Sequence, residues 1–408
     1  MNLKTLIRRL CTGTEGAVAI MVGIGMTAMI GFLALGTETG LWYAAKRNLQ
    51  SVADAAALGG AFELGSGSNS SVISAAAIQD AGRNGFQATG GATIAVHTPP
   101  ASGKYAGNPQ MVEVSVSQPT TLLFSALFLK SLQVNARAVA KTGSVGDACI
   151  LALDNVINDA AYFTGSATVT LHNCGIAANS SSSNAVVVSG SATVTTAFVQ
   201  SVGGYDISGS GVLHAGTIIT HAAATADPYA GLSAPSAASC ASVPKTKDFT
   251  LSPGTYCGGL TFQGNVFLNP GVYVISGGTF KITAQATVFG TGVTFVLINN
   301  AKLDVTGGSA ITITAPTAGI WAGVAFFSDR KNELQVNKLN GNSVTNITGA
   351  IYMPSQELDF SGGNGTDASG CTRLIADFVK FIGNSSLGNS CAATGVASGA
   401  SLRPVLVE

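Results

Sequence analysis

Residues 165–195 read GSATVTLHNCGIAANSSSSNAVVVSGSATVT. The hexapeptide GSATVT opens and closes this stretch, at Gly165–Thr170 and at Gly190–Thr195, a period of 25 residues, and Gly308–Thr314 reads GSAITIT. Between the repeats, short strand-like segments such as Thr168–Leu171 and Ala185–Val188 are separated by Gly, Asn and Ser, residues that turn a chain. Strands this short cannot bury a face alone, so their recurrence predicts a solenoid whose coils stack on one another. The expected fold of residues 145–408 is mainly β: a right-handed parallel β-helix of about ten coils at roughly 25 residues each. A β-sandwich is the alternative, since short strands with frequent turns fit it too. A second echo, LSPGTYCGGLTF (Leu251–Phe262) against LNPGVYVISGGTF (Leu268–Phe280), recurs after 17 residues and does not fit a strict 25-residue repeat.

The composition of the 408 residues agrees with a largely β chain. Gly numbers 51 and only 10% of residues are charged, well under half the usual density of about 25%. That argues against a cytosolic protein with a charged surface. Lys and Arg total 20 against 20 Asp and Glu, with no basic run, so the attraction to phosphate that supports nucleic-acid binding is missing. Residues 145–408 hold 10 basic and 14 acidic side chains, a formal charge of −4.

The amino terminus is different in kind. Lys4, Arg8 and Arg9 precede GAVAIMVGIGMTAMIGFLALGT (Gly16–Thr37), an uncharged run flanked by Glu15 and Glu38. About 20 apolar residues span a bilayer as a helix. Basic residues ahead of the run favour a cytoplasmic tip, residues 1–15, with the remainder outside. Gly16, Ala17, Val18, Ile20, Met21, Ile24, Met29, Ile30, Phe32, Leu33 and Leu35 are the expected anchor residues of a transmembrane helix over 16–37. A cleavable signal peptide ending near Ala34-Leu35-Gly36 is the rival reading; both send residues 40–408 across the membrane. Apolar residues continue at helical spacing through Leu41, Ala45, Leu49, Val52, Ala56 and Gly60, so one helix from about Ala17 to Phe62, roughly 69 Å long, is expected. Leu49, Val52, Ala53, Ala56 and Gly60 form a face for close docking, on the following domain or on a partner helix. A second helix, Val72–Phe86, and strands at Ala92–Thr98, Met111–Ser117 and Leu132–Ala140 complete an expected α+β region over 38–142.

These segments resemble a known family. The basic start, the apolar run, RNLQSVADAAALGGA (Arg47–Ala61), NGF (Asn84–Phe86) and VNARAVAK (Val134–Lys141) are together similar to the TadE/TadG-like proteins of Tad (Flp, tight-adherence) pilus assembly, over residues 1–142. The resemblance implies a bacterial inner-membrane protein whose partners are other Tad/Flp pilus-assembly components. Prepilins of this class are cut after a Gly and carry a Glu five residues beyond. Here the fifth residue after Gly16 is Met21, which departs from that pattern. Some TadG-like relatives also carry a metal-binding domain with Asp-x-Ser-x-Ser. Asp206, Ser208 and Ser210 spell it, but their Gly-rich flanks predict an ordinary turn.

Cys11 precedes the apolar run, and the other six cysteines lie in the exported part, where disulfides persist. Loop closure and sequential layering favour near neighbours, giving Cys149–Cys174, Cys240–Cys257 and Cys371–Cys391. There is no Cys-x-x-Cys to hold a metal.

Polysaccharide-cleaving β-helices need clustered carboxylates, whereas here the acids are dispersed and His172, His214 and His221 fall in no motif. The densest polar cluster, Ser328–Glu333, reads as a solvated loop, and Asn299, Asn300, Asn337, Asn340, Asn342 and Asn346 as turn or ladder residues. The expectation is a non-enzymatic, inner-membrane-anchored scaffold or assembly factor with no cofactor and its bulk in the periplasm. A surface adhesin that binds a carbohydrate or protein is the alternative, and a polysaccharide lyase or hydrolase a more distant one.

Overall fold

Nothing in Gly16–Thr37 breaks a helix, and the Ala-rich segment after it favours one. In the computed structural model, which describes residues 14–340, 344–361, 364–365, 370–391, 394–397 and 400–408, helix α1 runs unbroken over Thr14–Gly65. It extends past the expected span at both ends. Lys4, Arg8, Arg9, Cys11 and Asn342 lie outside the described residues, as do the side chains of Gly16, Ala17 and Ile20, whereas Asn346 is exposed in a strand opposite Thr312. The chain forms two units: residues up to Gly143 together with Arg403–Glu408, and Ser144–Leu402.

In the first unit, α2 (Ser70–Arg83) starts on Asn69, whose side chain accepts from the Val72 N–H, and stops before Gly85, at φ +87°. That backbone is left-handed and costs glycine little. The helix therefore ends ahead of the expected Phe86, whose N–H donates to the Ala81 carbonyl. Strands β1 (Thr93–His97), β2 (Met111–Pro119) and β3 (Gln133–Lys141) form an antiparallel sheet in that order. Its fourth strand, Val405–Leu406, pairs with β3. The last six residues thus belong here, and not to a β domain running to 408. The core comprises Leu49, Val52, Ala53, Ala56, Ala57 and Ala61 of α1, Ile73, Ala77 and Ala81 of α2, and the inward faces of β2 and β3.

The second unit is a parallel β-solenoid, which settles the choice against a sandwich. Leu251 pairs Leu268, Val272 pairs Thr294 and Ala310 pairs Val344, so coils are 17, 22 and 34 residues long there. The LxPGxY echo is simply the shortest coil, and a uniform 25-residue coil does not hold. GSATVT occupies stacked turns: Gly165, Gly190 and Gly209 all have φ between +65° and +69°, and a Cβ on Gly190 would lie 2.9 Å from the Gly165 carbonyl oxygen. The GSAITIT echo belongs to another sheet position, pairing with Thr287–Thr291 and Val344–Thr348.

The chain enters this solenoid in its middle. Residues 144–219 stack outward coil by coil. Residues 220–248 then return along the outside, and Phe249 onward builds a second run that climbs back to Thr372–Phe381. There Leu374–Ala376 pair with Ile150–Ala152, and Val379–Phe381 with Ala161–Phe163, all parallel. A solenoid coil needs a neighbour on each side, whichever end of the chain supplies it. Inside, Phe262, Phe280, Phe295 and Phe326 form a stack with successive centroids 5.2, 4.6 and 5.3 Å apart. The return strap covers an apolar outer face through Tyr229, packed with Phe327 and Tyr352.

Candidate membrane-anchor and docking site

Over its first half α1 presents large apolar side chains to the surroundings. Val18, Met21, Ile24, Met29, Ile30, Phe32, Leu33 and Leu35 are all exposed, and Gly23, Gly25, Gly31 and Gly36 border open space. This is a helix long and apolar enough to cross a membrane. Its second half is buried in its own unit. Leu49, Val52, Ala53 and Ala56 join the core, and a Cβ on Gly60 would meet Val112 at 3.0 Å and Ala77 at 3.5 Å. The small-residue face is therefore filled by β2 and α2, leaving it no room for a partner helix. Gln50 donates to the Arg137 carbonyl at 2.9 Å and Lys46 to that of Asn135, so β3 runs along the helix in the same direction.

Between the halves lies a residue that sequence reading treated only as a flank. Glu38 is 1% exposed. Its carboxylate accepts from the backbone N–H groups of Leu123 and Ser125, each at 2.8 Å, and from the Ser125 hydroxyl at 2.6 Å. The donors belong to the β2–β3 loop, in LLFSALFLK (Leu122–Lys130). The signal was Leu122–Leu129, seven apolar residues interrupted by Ser125, inconspicuous beside the longer run at the amino terminus.

Lower in the unit, Glu113 accepts from the Ala101 N–H and the Ser102 hydroxyl, both at 2.6 Å, and from Arg137, which also bridges Glu408 at 2.7 Å. Burial pushes the Glu113 carboxyl up, but these donors and the guanidinium outweigh it and hold it at about 2. A cavity of about 550 Å³ beside α1 is lined by Leu49, Val52, Asn84, Gly85, Phe86 and Pro119 among others. It brings the Asn84–Phe86 motif next to the docking helix.

In the solenoid the polar candidates have structural partners. Asp206 sits in a strand opposite Val187, and Ser208 and Ser210 donate backbone N–H groups to Val188 and Gly190, forming a stacked turn. Asn332 and Asn337 point inward and bond the neighbouring coil's Asn300 and Leu303 N–H groups, each at 2.8 Å. Gln356 bonds Ser328 and Asn337. Arg330 pairs with Asp227 of the strap at 2.7 Å. The Ser328–Glu333 segment is thus partly a buried corner and partly a clamp. Lys281, Asp304, Lys338, Asp359 and Lys380 occupy successive register positions, ending opposite Tyr162. Each acid in this ladder lies between two lysines. Among the described residues no group of three or more His, Cys, Asp or Glu is placed to hold a metal. Cys149–Cys174, Cys240–Cys257 and Cys371–Cys391 are disulfide-bonded, with Cα separations of 5.6, 5.6 and 4.9 Å.

Fold and site define a class: a protein with an N-terminal helix of membrane-spanning length that continues into a small α+β unit, followed by a disulfide-braced β-solenoid. Residues 16–63 match the Tad family, described as "Putative Flp pilus-assembly TadE/G-like". The match covers the apolar run and the docking segment of α1, the same stretch that carried the resemblance read from the sequence. No curated protein and no solved structure matches the chain.

Proposed function

We propose that this chain is a non-enzymatic, inner-membrane-anchored component of a Tad/Flp-type pilus assembly machine, acting as an extracytoplasmic scaffold or assembly factor. The Tad match over residues 16–63 carries the reading. α1 anchors the protein in the membrane, and its buried half rigidly couples that anchor to the α+β unit. Lys4, Arg8 and Arg9 keep the amino terminus on the cytoplasmic side. Three disulfides suit the oxidising periplasm, where the solenoid presents an uncharged or charge-balanced surface to other assembly components.

Cross-linking in intact membranes followed by pull-down tests the proposal. Recovery of pilus-secretion components together with loss of pili on deletion is expected; recovery of none would defeat it. A second reading, adhesion through the solenoid, draws support from the Lys/Asp ladder that ends at Tyr162, a face suited to a carbohydrate or protein ligand. It requires the solenoid to be protease-accessible on intact cells, with piliation unchanged when the protein is lost.

A further inference from the structure

We propose that the β2–β3 loop is a second membrane-inserting element, which enters the acyl-chain region of the same leaflet from which α1 emerges. The inference rests on the reading of α1 as a membrane anchor.

Three observations converge on it. The loop exposes Leu123, Phe124, Leu127, Phe128 and Leu129, with Leu127 at 82% and Phe128 at 88%. A contiguous apolar patch of this kind on a soluble unit marks a contact surface. Its position identifies the partner. The loop is tied to Glu38, the first charged residue after the apolar run. Ala34, one turn nearer the amino terminus on the same helix face, is also buried. The tip therefore lies level with the end of the stretch that α1 would place in lipid, and the partner that fits is the bilayer itself.

An apolar medium favours a backbone whose polar groups are satisfied internally, and several of the loop's N–H groups are bonded in this way. The Leu123 and Ser125 N–H groups go to Glu38. The Leu127 N–H goes to Phe124, and those of Phe128 and Leu129 to the Ser125 carbonyl at 2.9 and 2.8 Å. Thr120 closes the base by donating to the Leu132 carbonyl at 3.0 Å. Trp42, Tyr43, Lys46 and Arg47 follow Glu38 within about three turns of α1, and Lys130 ends the loop's apolar stretch, the aromatic and basic residues that settle at a membrane–water boundary.

The test uses the full chain with Cys11→Ser, reconstituted in phosphatidylethanolamine–phosphatidylglycerol vesicles. A fluorophore is attached in turn at Phe128→Cys, Ile30→Cys and Gln87→Cys, all exposed positions. Lipids with a nitroxide on the acyl chain should quench emission at positions 128 and 30 and leave position 87 bright. Quenching at 30 without quenching at 128 overturns the loop proposal while leaving the anchor intact. Quenching at neither removes the anchor reading, and the loop proposal with it.

Discussion

Phe381 stacks on Phe163 with ring centroids 5.1 Å apart and planes 10° apart, although one belongs to the last long strand of the solenoid and the other to its first coil. Phe360 continues the stack at 5.5 Å on the other side of Phe381. Above this junction Arg373, 1% exposed, bonds Asp147 at 2.7 Å and the Ala397 carbonyl at 2.9 Å. The seam between the two runs is thus packed like any interior coil contact, and the strap at residues 220–248 is the covalent link that made it intramolecular.

It follows that the solenoid should survive a cut in that strap. Residues 236–239 are exposed, and no disulfide spans them. We expect an inserted protease site there to yield two fragments that co-elute under native conditions and separate on a non-reducing denaturing gel. Fragments that part on native gel filtration would contradict the packed seam.

Phe381→Ala should destabilise the solenoid by about 3–5 kcal/mol, the usual range for a buried Phe deletion. Phe295→Ala, within one run, should cost a similar amount. The two separate in the nicked protein, where only Phe381→Ala should release the fragments from each other.

Replacing Cys149 and Cys174 together by Ala should lower solenoid stability by about 3 kcal/mol, since the bond closes a 25-residue segment. Trp321 lies in the solenoid and Trp42 in the N-terminal unit. Denaturant unfolding followed by Trp321 fluorescence in a Trp42→Phe background should shift, and the Trp42 signal in Trp321→Phe should not.

The same two probes separate opposite responses to acid. The Glu113 carboxyl, lowered to about 2 from its ordinary 4.5, stabilises the N-terminal unit fully above about pH 4.5, and that contribution is lost as pH falls towards 2. Glu113→Gln should cost about 1–2 kcal/mol at pH 7, allowing for the solvent reaching Arg137, and should flatten the acid loss seen by Trp42.

Asp377 behaves in the reverse sense. Burial first, and then the neighbouring Asp154 charge, raise its carboxyl to about 6. The folded solenoid therefore holds this proton more tightly than the unfolded chain, and stability falls as pH rises from about 4 through 6. Asp377→Asn should raise stability at pH 7 by up to about 1 kcal/mol and change little at pH 4, because the group is partly solvated. An equal effect at both pH values would mean the charge is not the cause.

Much of this architecture could be read in the residues because local physics wrote it there. The apolar run and its Ala-rich continuation specify a helix by composition and spacing, and the observed helix exceeds the expected span by a few residues at each end. GSATVT marks a coil because a left-handed turn stacked on another left-handed turn admits glycine and little else. Cys149–Cys174 joins near neighbours because consecutive coils are adjacent in space, whereas Cys240–Cys257 ties the strap to a coil and Cys371–Cys391 closes an antiparallel contact. Glu38 could not be read in this way: its partners Leu123 and Ser125 come from a distant hairpin, and a lone Glu after an apolar run is ordinarily a solvated flank.

The amino-acid sequence alone specifies the kinds of element: a membrane-length helix, an α+β unit, and short strands with turns that must stack. It does so because helix formation, turn conformation and alternation are set by neighbours along the chain. The order in which coils stack is another matter. That Phe381 should seat on Phe163, that Val405–Leu406 should leave the solenoid to pair with β3, and that Glu38 should fasten an apolar loop all depend on contacts between residues far apart in the chain. Many pairings satisfy the same local pattern, and burial of the whole core selects among them.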